Sequence, residues 1–220
     1  MSKSNIQLCI QVLLGGFLST VILLHIILFW LKRKIDNGTL TYNESDLIEL
    51  HASIQREYNL NTTLIFIEHG VATYNLIEQA IRMVRKVEFF QSDYIIFLHE
   101  ISHAIDFSRK KTNVMTTLKV VSVIGSLLCY VVAILGLFDI GVTYATILLC
   151  IAVCFGLLDI MLTARMERAA NKILLDDFID GRYKLFVRLT ETLQTIERVF
   201  LFICLLLLFF FVRTNIDALR

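Results

Sequence analysis

The sequence predicts a mainly α-helical membrane protein, with about four transmembrane helices and a small α+β portion between the first and the second. Three observations predict it. Of 220 residues 56% are apolar, none is proline, and the mean hydropathy is +0.69, all unusual for a water-soluble globule. The apolar residues gather into long runs instead of recurring at strand or surface-helix period. The two longer segments between the runs are polar and rich in Lys and Arg.

Residues 8–31 form the first run, broken only by Gln11, Ser19, Thr20 and His25. At 1.5 Å per residue such a helix is long enough to cross a hydrocarbon core of about 30 Å. It ends in Trp30 and Lys32-Arg33-Lys34, an aromatic anchor and a cationic stop. A cleaved signal peptide would instead have a shorter apolar region and a small-residue cleavage site.

Residues 32–117 form a soluble segment. Asn43 or Ser45 can cap a helix reaching Tyr58, with Leu47, Ile48, His51 and Ile54 spaced as one apolar stripe. Residues 60–68 are rich in β-branched side chains and read as a strand ending at Gly70. Residues 72–87 are ambiguous. Ile77, Ala80, Ile81 and Val84 fit a helix, while Tyr74, Leu76, Ile81 and Met83 fit two short strands.

Residues 118–163 form a transmembrane hairpin, two spans at 118–138 and 142–163 joined by the tight turn Asp139-Ile140-Gly141. Lys119 can snorkel from the first turn of the second span. A helix is expected within 164–198. The last run, 199–213, covers only about 22 Å at helical rise, so it spans by recruiting flanking residues or lies half-buried against the other helices.

Charge informs topology. Ten Lys and Arg fall in 32–117 and seven in 164–198, against none in the hairpin turn. Both rich segments are expected on the cytoplasmic side, and the two spans between them return the chain to the same face. With 21 basic and 20 acidic residues the chain has no field with which to gather nucleic acid, so that partner class is excluded. The five cysteines lie inside apolar runs without a metal-type or C-x-x-C spacing, and read as packing residues.

The chemistry is carried by His99-Glu100-Ile101-Ser102-His103. In a helix, residues four apart stand one turn above each other, so both imidazoles can reach one zinc ion. Glu100, offset by one residue, can hold a water on that ion and take its proton. A helix over about 93–108 is expected, capped by Ser92 or Asp93. A catalytic zinc usually takes a third protein ligand. In a metzincin a glycine and a third histidine would follow, but Asp106 and Arg109 occupy those places. The better candidate is Glu167 in Met166-Glu167-Arg168-Ala169-Ala170-Asn171. Glu167, Ala170, Asn171 and Leu174 share a helical face, and Asn171 can offer its carbonyl to the other N–H of a ligand histidine. Asp159, ionisable and inside a span, is the rival ligand and would make the site intramembrane. His25, His51 and His69 have no partners at ligand spacing and read as packed or hydrogen-bonded.

The arrangement resembles the YugP-type neutral zinc metallopeptidases of bacterial membranes, related in plan to HtpX-type peptidases. His99, Glu100, His103 and Ala104 match the family's H-E-x-G-H-A, and Glu167 and Ala170 match its E-x-x-A-S or E-x-x-A-D. Ser102 and Asn171 depart from it. The family's Ile-Arg-Leu strand looks like Ile81-Arg82-Met83, which favours strands over helix there. The resemblance implies that an edge strand beside the zinc helix binds substrate backbone.

The expectation is therefore an α+β metallopeptidase portion on a membrane scaffold: a Zn²⁺ metalloendopeptidase in a bacterial cell membrane, acting on a protein or peptide in contact with lipid. The alternatives are a catalytically silent scaffold that keeps the zinc fold, and an intramembrane protease using Asp159.

Overall fold

The computed structural model describes residues 3–37, 41–110, 113–139 and 141–219. It is mainly helical, with a small three-stranded sheet. The elements run α1 (Lys3–Asp36), α2 (Glu44–Tyr58), β1 (Thr63–Ile67), β2 (Thr73–Asn75), β3 (Ala80–Val84), α3 (Gln91–Lys110), α4 (Asn113–Asp139), α5 (Val142–Ile173) and α6 (Lys184–Leu219). Among the described residues four helices are long and apolar enough to cross a membrane, at Gly15–Asp36, Thr117–Phe138, Val142–Phe178 and Gly181–Asn215.

The last of these replaces the short run expected at 199–213. The apolar stretch is the middle of a 36-residue helix, about 54 Å long at helical rise, so length no longer limits it. Conversely, 164–198 is not one helix. α5 ends at Ile173 in a π-helical turn, Leu174–Phe178, closed by Ile179 N–H donating to the Leu174 carbonyl at 3.0 Å. A single 3₁₀ turn, Gly181–Tyr183, then leads into α6. Between α4 and α5, Ile140 lies outside the described residues, and Gly141 adopts φ +98°, a value that suits glycine at the turn.

The chain divides into two compact units. One comprises α1 up to Ile22, α4, α5 up to Arg165, and α6 from Thr192. Its interior is small: Tyr130, Ala133, Leu137, Ala145, Leu149, Ala152 and Phe209. Between its helices Tyr130 O–H donates to the Leu205 carbonyl at 2.6 Å, and Ser126 O–H to the Ala152 carbonyl at 3.1 Å. Phe17 stacks on Phe200 with centroids 5.1 Å apart. Many of its large apolar side chains face outward, Leu127, Leu135, Met161 and Phe211 among them. Such a surface suits lipid rather than water. Cys150 and Cys154 lie on that exposed apolar surface, so they are not the packed residues expected.

The second unit comprises the remainder of α1, the sheet, α2, α3, the end of α5 and the start of α6. Residues 72–87 form β2 and β3, as the Ile81-Arg82-Met83 resemblance favoured. The strand order is β1-β3-β2, with β3 parallel to β1 and antiparallel to β2. The core joins Leu47 and Ile54 of α2, Ile81 and Met83 of β3, a face of α3 from Ile95 to Ile105, Ile173 and Leu174, and Phe186 and Val187 of α6. Ile48, counted in the α2 stripe, is 51% exposed; Leu47, His51 and Ile54, at intervals of three and four, make the buried face. Asn43 caps α2 in a reciprocal box with Asp46, and Asn59 ends it at φ 51°.

Candidate metal centre

α3 starts at Gln91, two residues earlier than expected. Asp93 is not its cap but reaches back to accept from Phe90 N–H at 3.2 Å, and its buried carboxylate also meets Lys86 at 2.7 Å. Ser92 does not cap either. Its N–H and O–H each donate to the Asp36 carboxylate at 2.9 Å, tying the end of α1 to the start of α3. At the other end Arg109 lies 3.6 Å from Asp177, which also accepts from Tyr58 O–H at 3.3 Å. α3 is thus held at both termini, and its middle carries the candidate ligands.

His99 and His103 lie one turn apart with their Nε2 atoms 3.1 Å from each other. Glu167, near the end of α5, places Oε2 3.1 Å from His99 Nε2 and 3.5 Å from His103 Nε2. Their side chains are only 14–18% exposed. This is the one group of three His, Cys, Asp or Glu residues found among the described residues with ligand atoms close enough to share an ion. The Glu167 face expected in the sequence is observed: Ala170, Asn171 and Leu174, its helical neighbours, are buried at 0%, 6% and 1%.

Glu100 is also buried, and its Oε2 accepts from Tyr74 N–H at 2.6 Å. Burial pushes its carboxyl pKa up, against the lowering pull of His99 and His103. For His99, burial opposes the charged ring, but the hydrogen bond to Glu167 and the charge of Glu100 outweigh it and raise the pKa.

Ser102, where the resembled family has glycine, is fully buried and donates to the Leu98 carbonyl at 2.8 Å, so its hydroxyl is satisfied inside the helix. Asn171 Nδ2 donates to Glu191 Oε2 at 2.9 Å. Its Oδ1 is buried with no donor in hydrogen-bonding geometry. Asn171 is among the groups that raise the His99 pKa.

The edge-strand expectation for Ile81, Arg82 and Met83 is corrected. β3 is the central strand, paired on both sides, and Ile81 and Met83 are buried at 0% and 3% while Arg82 pairs with Glu78. From Ala80 to Arg82 it is flanked by a strand on each side, so it offers no open edge there. The edge beside α3 is β2, whose Tyr74 N–H turns away from β3 to Glu100. Asp159 belongs to the other unit, where Thr163 O–H donates to it at 3.5 Å and Arg198 lies at 3.8 Å. His51 is buried against Thr62 Oγ1 at 3.0 Å, the hydrogen-bonded role expected of it, while His25 and His69 are exposed.

The sequence does not point to Tyr74 or Glu191 as residues of the site. A backbone N–H leaves no trace in residue type. Glu191 stands 20 residues beyond Asn171, across a π turn and a 3₁₀ turn, where no helical spacing applies.

No family model, no curated protein and no solved structure matches the chain. The resemblance carried by His99, Glu100, His103, Ala104, Glu167 and Ala170 therefore rests on those residues alone.

Proposed function

We propose that this protein is a membrane-held zinc metalloendopeptidase in which His99, His103 and Glu167 hold the ion and Glu100 is the general base. The observation that carries the reading is the triangle of ligand atoms, with edges of 3.1, 3.1 and 3.5 Å. Three ligands at about 2 Å from one tetrahedral zinc stand about 3.3 Å apart, so a single ion fits this triangle. The donor set, two imidazole nitrogens and one carboxylate, is that of an open catalytic site rather than a closed structural one. Four long apolar helices support the membrane setting.

Bound there, zinc would polarise the scissile carbonyl and acidify a water. Glu100, adjacent to His99 and buried, would accept the proton of that water and pass it to the leaving amine. Its raised pKa suits a group that must both take and give a proton near neutrality. An extended peptide would lie beside β2, the sheet edge next to α3. Substrates of this kind are proteins or peptides reached from the lipid surface. The Lys and Arg pattern of 32–117 and 164–198 supports a cytoplasmic site, and the resemblance supports a bacterial membrane.

The Tyr74–Glu100 bond favours a second reading, in which the carboxylate is a structural tie between β2 and α3 and the protein is a silent zinc scaffold. Glu100→Gln separates the two. In the catalytic reading the variant keeps stoichiometric zinc and cleaves a fluorescent unfolded protein about 10²- to 10⁴-fold more slowly than wild type. Equal rates in the two proteins would overturn the base assignment. A zinc-loaded wild type that cleaves neither this probe nor a single-span membrane protein would leave the scaffold reading.

A further inference from the structure

The amide of Asn171 has one orientation that its surroundings permit. Nδ2 is 2.9 Å from Glu191 Oε2, and an ionised carboxylate can only accept, so the nitrogen must face Glu191 and the oxygen must face away. That oxygen is buried and lacks a donor in hydrogen-bonding geometry, an arrangement that is costly unless a donor completes it. Asn171 lies one helical turn from Glu167 on the buried face of α5, and Glu167 and His103 meet His99 through Nε2, so Nδ1 is the ring nitrogen left outside the metal triangle.

Resting on the zinc reading above, we propose that Glu191 is a positioning residue: it locks the Asn171 amide so that Oδ1 accepts from His99 Nδ1–H, leaving the Nε2 lone pair for the metal. A histidine ligand binds through whichever nitrogen has no proton, and the partner of the other nitrogen decides which that is. Aspartate or serine in place of Asn171 needs no such lock, since a carboxylate accepts from either oxygen and a hydroxyl rotates. An asparagine does need one, because the flipped amide would present two N–H donors to His99 Nδ1 and favour the wrong tautomer. Arg168, 3.5 Å from Glu191 Oε1, holds the carboxylate from its other side.

The test is zinc affinity measured by chelator competition on wild type, Glu191→Gln and the double variant Asn171→Asp with Glu191→Gln, all as full-length protein in detergent. The amide introduced by Glu191→Gln can donate as well as accept, so the Asn171 amide is no longer fixed, and affinity is expected to fall about 10- to 100-fold. In the double variant the carboxylate introduced by Asn171→Asp is an obligate acceptor for His99 and takes a second bond from the new amide opposite it. Affinity is then expected to return to within about threefold of wild type. Glu191→Gln with wild-type affinity, or a double variant no better than the single one, overturns the inference, the latter because a merely structural Glu191 would not be rescued by a change at Asn171. Wild type that binds no zinc would sink the metal reading itself and this inference with it. Thermal unfolding of the metal-free variants separates loss of the fold from loss of the lock.

Discussion

Glu167 Oε2 stands 3.1 Å from His99 Nε2, although 68 residues and a pair of long apolar helices separate them in the chain. Glu167→Ala should lower zinc affinity by more than about 100-fold, since loss of a direct ligand exceeds the cost of losing its hydrogen-bond partner. Asp159→Ala should leave affinity unchanged, because that carboxylate is engaged by Thr163 and Arg198. Chelator competition on both variants decides. The reverse pattern would move the third ligand into the span and favour intramembrane cleavage.

Zinc binding should strengthen as pH rises and then level off. The metal needs His99 Nε2 without its proton, and the pKa of His99 in the metal-free protein is raised above 6.5. Apparent affinity should therefore climb about tenfold per pH unit for each proton displaced below that raised pKa, and flatten above it. The metal-free fold has the opposite sign. A raised pKa contributes stability that is present below the ordinary histidine value and is lost as pH rises through the raised one. A zinc affinity that stays flat from about one pH unit below the ordinary histidine value to one unit above it would argue against His99 as a ligand.

The parts of the site that follow from a fixed period were legible in the sequence. His99 and His103 stand four apart, Glu167 and Asn171 four apart, and an α-helix has only one way to place such pairs. The pairing of Glu167 with the histidines was legible by a different route, the even number of spans between them. Strand order is not written in any period, so β3 could be recognised as a strand but not as the central one. The amphipathic period of α2 marked its face but not the edge of that face, which is why Ile48 fell on the wrong side. The π turn after Ile173, which adds a residue to the last turn of α5, has no residue signature, and Glu191 depends on the route the chain takes after it.

The close approach of α5 to α6 makes a prediction away from the site. A Cβ added at Gly156 would lie 2.5 Å from Phe202 Cε2 and 3.3 Å from Ser126 Oγ, so the space is taken from two sides. A ring carbon cannot yield as a flexible chain end does, so Gly156→Ala must displace the whole Phe202 ring or separate the helices. That overpacking should cost about 1–3 kcal/mol. Any gain in helix propensity from replacing glycine, about 1 kcal/mol, offsets only part of it. Gly156→Ala should thus lower the unfolding midpoint in detergent, while Phe202→Leu alone opens a gap and lowers it too. Combined, the two changes should cost less than their sum, because the smaller leucine vacates the volume that the new methyl group needs. Strict additivity in this cycle would mean that Gly156 and Phe202 do not meet, and that the packing of α5 on α6 is set elsewhere.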